Sequence, residues 1–349
     1  MTDHTQHPAE LTESQYDLEH EPASRADGDR LSADPDQNPT AAAEQAQAMG
    51  DANAVVGKPR SLAQDAWADL IRNPMFVVSA LLILVMAAMS LFPTLFTSVD
   101  PQAQSIMNSL EPAEPGHPLG FDQQGHDIWA RVVHGARASI LVGLLTTAGV
   151  VLLGGAIGAI AGYFGGWVDA VLSRILDTFL AIPLLLAGIV VMSMVEHIDL
   201  PGFGWLGRNI PTVALMLTIF GWTSVARIMR GSVLQAKQAD YVTAARSMGA
   251  STGRIIVNHI IPNAIAPVIV IATISLGMFI VAEATLSYLG IGLDTEKVVS
   301  WGGDISEAQR VLRTNPEIMV WPSLALSLCV LSFMLLGDAV RDALDPKLR

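Results

Sequence analysis

Cysteine is almost absent: the 349-residue chain holds one, Cys329, inside an apolar run. An internal disulfide is excluded, and a lone thiol in such a run is read as packing. Charge is scarce too. Asp, Glu, Lys and Arg make up 15% of residues against 51% hydrophobic, which fits a multiply membrane-spanning chain rather than a soluble globule. A phosphate-cradling GxxxxGK[ST] loop is missing: the only Gly-Lys pair is Gly57-Lys58, with Ala52 where the first glycine belongs and Pro59 where Ser or Thr belongs. The chain cannot be an ATPase. No basic stretch leads into a short apolar core at the amino end, so no cleaved signal peptide is expected. His117, His126 and His134 are nine and eight residues apart, which matches no standard metal-ligand spacing. No catalytic constellation, resident metal, cofactor or nucleic-acid partner is expected.

The net charge of −13 is unevenly spread. Residues 1–50 hold eleven acidic and two arginine side chains, a net of −9, leaving −4 on the rest. Residues 1–60 are polar and acidic with few large apolar groups, and are read as a disordered tail. Within 61–74, Ser61 and Gln64 form a capping-box pattern ahead of Leu62, Ala66, Trp67 and Leu70 at helical spacing. That segment is either a surface-lying amphipathic helix or the foot of the first span. The membrane-spanning body occupies 75–349. Six apolar runs there are long enough to cross about 30 Å of hydrocarbon: Met75–Phe96, Ser139–Phe164, Ile175–Val195, Ile210–Ile228, Ala264–Leu286 and Ile318–Leu336. The predicted fold is an all-α, six-helix membrane protein. Setting aside Arg25 and Arg30, twelve Lys and Arg fall on one side of these runs and six on the other. The basic side is the cytoplasmic one, which places both termini and loop 231–263 inside.

Features within the spans are few. Gly154, Gly158 and Gly162 form a ridge that lets another helix approach closely, within this subunit or from a second one. Pro183 breaks a backbone hydrogen bond in the third span, which suits a moving pathway or a static kink. Glu283 is the most deeply placed carboxylate. It either faces a wet translocation path or accepts hydrogen bonds from a neighbouring helix. No chain of acids and histidines forms a proton relay, and no inverted repeat of the kind expected of a self-sufficient secondary transporter is visible.

The chain is organised around Asp240–Pro262, a polar island between two apolar runs. Tyr241, Ala245 and Met248 fall at i, i+4 and i+7, one helical face. Gly249 then stops the helix, and Pro262 sits at the mouth of the next apolar run. Thr243-Ala244-Ala245, three residues, Gly249 and, thirteen later, Pro262 resemble the EAA loop of ABC-importer permeases. The usual Glu is Thr243 here. Residues 117–127, HPLGFDQQGHD, resemble the HPLGTDxxGRD segment of the C-type permease of dipeptide/oligopeptide ABC importers, with His126 for the usual Arg and Phe121 for the usual Thr. Residues 162–169, residues 283–290 and the stretch from Leu336 onward extend the match, in the family's order, from about residue 68 to the end.

This resemblance implies a type I importer fold in the cell membrane. It implies a second, homologous permease, two ATPase subunits that bind the ATP and magnesium, and an extracytoplasmic solute-binding protein. Asp240, Tyr241, Thr243, Ala244, Ala245, Met248, Gly249, His259 and Pro262 would couple to the ATPases. Glu283 and Pro183 are the pathway candidates. Peptides are the expected cargo. Nickel or oligosaccharides are the alternatives within the same transporter type, and a self-sufficient secondary transporter is the alternative outside it.

Overall fold

The computed structural model describes residues 70–195, 197 and 207–344. The expected acidic tail and most of segment 61–74 lie outside these residues. The chain divides into two units, 1–60 and 61–349, and every described residue belongs to the second.

Helix α1, Pro74–Leu91, starts cleanly because Asn73 accepts a hydrogen bond from the Met75 amide and Pro74 needs no donor partner. Helix α2, Ile128–Phe164, has 37 residues. At 1.5 Å per residue it is about 55 Å long, nearly twice a bilayer core. The span expected from Ser139 is therefore its second part. The first three turns are kept helical by burial: Ala130, Val133 and Ala136 are fully enclosed.

Two expected spans are broken. The third consists of α3, Gly166–Leu180, and α4, Leu184–Val195, meeting at 79°. Pro183 lies in the break rather than in a kinked helix: its missing donor and fixed φ favour starting the second segment over continuing the first. The fourth consists of α5, Ile210–Gly221, and α6, Thr223–Lys237, bent by 48° at Trp222. Helix α7, Asp240–Ser247, and a short turn of helix, α8, Thr252–Ile255, follow. Five residues of π-helix, Ile256–Ile260, then run into α9, Ile261–Tyr288. The helix thus does not begin at Pro262. Thr252–Tyr288 is one helical stretch, and the widened π turn precedes the proline that cannot donate. Helix α10, Trp301–Ala308, and α11, Glu317–Leu344, complete the bundle. Counting each bent pair as one crossing gives six.

The glycine ridge of α2 packs inside the subunit. A Cβ on Gly154, Gly158 or Gly162 would lie 2.6, 2.3 or 2.8 Å from the carbonyl oxygens of Trp222, Ala226 or Arg230 on α5–α6. Only bare backbone permits that approach, and the close contact replaces the hydrophobic drive that lipid does not supply. Residues 97–127 and 289–316 gather at one end of the bundle as a cap. The loop carrying α7 lies at the other end.

Candidate functional site

The loop end is a compact unit. Asp240 in the first turn and Arg246 in the last complement the helix dipole of α7. Gly249, at φ 80°, closes the helix with a paired motif: its amide donates to the Arg246 carbonyl at 3.0 Å, and the Ala250 amide donates to Ala245 at 3.1 Å. Val242 packs with Val233, Ile255 and Ile260 in one apolar cluster. Ala245 is buried as well, whereas Met248 is 82% exposed and Tyr241 is also exposed. The expected face of Tyr241, Ala245 and Met248 is therefore split. Val242 and Ala245 hold α7 to its own subunit, while Tyr241, Ala244 and Met248, at i, i+3 and i+7, project outward. The sequence carries two adjacent apolar stripes here, and only the fold says which is already occupied. Asp240 and Thr243 are exposed; Thr243 adds no charge to the outward surface. His259 is half-buried in the π turn, away from α7 in sequence, and Pro262 is exposed.

Two contacts brace this end that were not foreseen. Arg230 on α6 grips both carboxylate oxygens of Asp169 on α3, at 2.5 and 2.7 Å. The Lys237 ammonium donates to the Tyr163 carbonyl at the end of α2 and stands 5.4 Å from the Tyr163 ring centre. Both tie α6, which leads into α7, to its neighbours. The available signal was Asp169 at the end of the Gly162–Asp169 segment, with Arg230 just before the loop and Lys237 within it.

The cap explains the segment 117–127. Gly120 and Gly125 take positive φ, 74° and 79°, and a Cβ on Gly125 would lie 1.9 Å from the Ser105 carbonyl oxygen. Asp122 accepts from the amides of Gln124 and His126 and from the His126 ring, at 2.8–2.9 Å. Asp127 caps α2 by accepting from the Ala130 amide at 2.5 Å, and it also pairs with the His117 ring. His134 bonds the Ala130 carbonyl of its own helix. The three histidines do not converge. Trp301, fully enclosed, donates to the Val132 carbonyl at 2.9 Å and fastens α10 onto α2.

Beneath the cap, Arg131 is buried among carboxylates: Asp304 at 2.5 Å, Glu307 at 3.5 Å and Asp122 at 3.9 Å. Burial pushes the Asp304 carboxyl up to about 6 against the pull of Arg131. Burial acts the same way on Asp122, but the hydrogen bonds and charge of His126, with the charge of Arg131, outweigh it and hold that carboxyl below its ordinary value. A polar cavity of about 740 Å³ opens beside this cluster, lined among others by His126, Arg131, Arg208, Ser287, Glu307 and Arg310.

Glu283 does not line that cavity, although Ser287, one turn on, does. It is wholly buried, and its Oε1 accepts from Ser287 Oγ at 2.8 Å. Ser139 and Ser300 face the same carboxyl at longer range, and neither Ser139 Oγ nor Glu283 Oε2 completes a hydrogen bond. Ser287 Oγ also accepts from the Leu293 amide at 3.1 Å, which links this carboxylate to the segment leading into α10. Pro183 is exposed at the α3–α4 break. The structure does not bring Glu283, Pro183 and the loop residues together into one site.

Comparison with known proteins places the chain in a family. Residues 154–349 match the binding-protein-dependent transport system inner membrane component, and residues 61–113 match the N-terminal TM domain of oligopeptide transport permease C. The oligopeptide transport system permease protein OppC of Bacillus subtilis is 35% identical over 300 residues, covering 86% of this chain and 94% of the relative. The dipeptide transport system permease protein DppC of Alkalihalophilus pseudofirmus is 32% identical over 286 residues, covering 82% and 90%. The glutathione transport system permease protein GsiD of Pectobacterium atrosepticum is 33% identical over 287 residues, covering 82% and 91%. Among solved structures, an inward-facing form of the MetNI methionine ABC transporter aligns over 62% of this chain and 97% of its own, with a TM-score of 0.51 and 17% identity, which shows a shared fold. Up to six crossings, a bare helix on a braced loop and no phosphate-binding loop in the same chain are thus accounted for together: the chain belongs to the binding-protein-dependent transport system inner membrane components, as a C-type permease of the dipeptide/oligopeptide ABC importers.

Proposed function

We propose that this permease forms half of the translocation pathway of an importer for short peptides and receives the ATPase stroke through α7. The observation that carries the coupling role is the outward face of Tyr241, Ala244 and Met248 on a helix whose other face is anchored to its own subunit. An apolar helix face rimmed by Asp240 and Arg246 suits a groove in a partner. The basic side of the membrane, by the Lys and Arg distribution, is the side that carries α7. ATP and magnesium would be held by two ATPase subunits there. A second, homologous permease would complete the pathway, and a solute-binding protein would dock on the cap. The anchoring of α7 through Val242 and Ala245, and the Arg230–Asp169 and Lys237–Tyr163 contacts, would pass its movement to α2, α3 and α6. Glu283 would steady the segment entering α10, and Pro183 would mark the joint of the third span.

The cargo reading rests on relatives named for dipeptides, oligopeptides and glutathione, itself a tripeptide. It favours peptides over nickel or oligosaccharides. Because Ala245 is buried, the discriminating substitutions are on the exposed side. The transporter is to be purified from its native membrane with wild-type chain, Met248→Asp, or Tyr241→Ala with Met248→Asp. Wild type is expected to bring down ATPase and a second permease. The variants are expected to keep the permease and lose at least tenfold of the ATPase. A wild-type chain that purifies alone, and moves solute without ATP after reconstitution, would instead support a self-sufficient secondary transporter.

A further inference from the structure

We infer that Glu283 is held as a neutral carboxylic acid whose proton bonds Ser139, and that this bond fixes α9 to α2 and to the start of α10. Glu283 is thereby a positioning residue and touches no cargo. Its proton owes nothing to the importer reading; only the mechanical consequence for α7 rests on that reading.

Glu283 has no cation to pair with. Its side chain is wholly buried, and the polar groups that face it are three hydroxyls: Ser139 of α2, Ser287 of its own helix and Ser300, which caps α10. No Lys, Arg or His of the described residues is among them. An ionised carboxylate left without a cation inside a membrane bundle is costly, and a proton removes the charge. Space points the same way. A Cβ on Gly302 of α10 would lie 2.6 Å from the Ala284 Cα, and one on Gly143 of α2 would lie 2.6 Å from Ile280 Cγ1. Helices α2 and α10 thus close on α9 within one turn of Glu283, with no room for a methyl group. A hydrated ion does not fit such a junction, whereas a proton takes no volume.

The hydroxyls fix where that proton points. Ser287 Oγ accepts from the Leu293 amide at 3.1 Å, and Ser300 Oγ accepts from the Gly303 amide at 3.2 Å. Each still has its own proton to place, and Ser287 gives its proton to Glu283 Oε1 at 2.8 Å. Ser139 Oγ has no partner, and Glu283 Oε2 is the other unpartnered buried atom of this junction. A proton on Oε2, donated to Ser139 Oγ, gives each the partner it lacks. Helix α9 continues from the loop that carries α7. With α7 as the driven helix, the bond obliges the cap end of α9, the turn of α2 at Ser139 and the start of α10 to move together.

The test uses the whole transporter in lipid nanodiscs at pH 7, read by infrared spectroscopy and thermal unfolding. Subtracting the Glu283→Gln spectrum from that of wild type is expected to leave a carboxylic C=O band and no carboxylate band. Acids common to both, Asp304 included, cancel. Ser139→Ala takes away the acceptor, so the carboxylic band is expected to move to higher frequency and the unfolding midpoint to fall by about 2–4 °C. Glu283→Gln, a neutral donor of like shape, is expected to unfold closer to wild type than Glu283→Leu. Three results would each overturn the proposal: a carboxylate band in the difference spectrum, a carboxylic band that Ser139→Ala leaves in place, or a Gln variant no more stable than the Leu variant. Should Glu283→Gln fail to assemble, the band shift between wild type and Ser139→Ala decides alone. These readouts need neither ATPase nor cargo, so they fail separately from the importer reading.

Discussion

Trp301 does more at the cap than its neighbours in the Ser300-Trp301-Gly302 segment suggest by composition. Its ring is fully enclosed, lying against Gly135 of α2, and its N–H meets the Val132 carbonyl. Trp301→Ala is expected to lower unfolding stability by about 3–5 kcal/mol. Trp301→Phe keeps most of the packing and loses the hydrogen bond, costing about 1 kcal/mol. Denaturant titration of the detergent-solubilised chain separates the two. Arg131 is a sharper case. Arg131→Met leaves three carboxylates crowded without their guanidinium, for which about 3–5 kcal/mol is expected. The same titration would show less than 1 kcal/mol if solvent reached the cluster freely. Asp122, Gly125 and Asp127 stood out in sequence as members of a segment, but their tasks did not. The N-cap of Asp127 and the amide bonds of Asp122 are local, over two to four residues, whereas the left-handed turn at Gly125 is enforced by Ser105 lying against it.

Elements were more legible than residues, because hydrophobic length and glycine spacing are local properties. The ridge of Gly154, Gly158 and Gly162 was readable as a close-approach surface, and its partner was not. That partner is the α5–α6 pair. Gly158→Ala would place a methyl group 2.3 Å from the Ala226 carbonyl oxygen, so α2 and α6 must part. A loss of about 1–3 kcal/mol is expected. Gly249→Ala meets no atom within 4 Å but keeps φ at 80°, so only the backbone strain of about 1–2 kcal/mol should appear. Thermal unfolding of both variants side by side should rank Gly158→Ala first. The breaks at Pro183 and Trp222 lay beyond the reach of length counting. An apolar run of twenty residues has the same composition whether straight or folded back by 79°. Likewise the extra turns of α2 are helical because the cap buries them, which no membrane-thickness rule anticipates.

At the scale of the molecule, the bundle separates a charged, cavity-bearing cap from the braced loop that carries α7. That separation makes the orientation testable. A cysteine placed at Ile106, 80% exposed in the cap, should react with an impermeant thiol reagent on intact cells. One placed at Met248 should react only after permeabilisation. Cys329 is fully buried and should stay silent in both, so the wild-type background needs no further substitution. The reverse labelling pattern would invert the assignment of both ends.

Sequence by itself determined that this chain has runs long and apolar enough to span a membrane, lacks a GxxxxGK[ST] loop and carries a helix-glycine loop between two apolar runs. Apolar length, a missing phosphate loop and the spacing of Ala245, Gly249 and Pro262 are facts of linear order. Tertiary structure alone decided which side of α7 is free, that Glu283 is enclosed rather than on the cavity wall, and that Arg131 meets Asp304 and Glu307. The physical reason is common to all three. Which face is exposed, which group is desolvated and which side chains converge depend on groups that lie far away along the chain, and local periodicity carries no record of them.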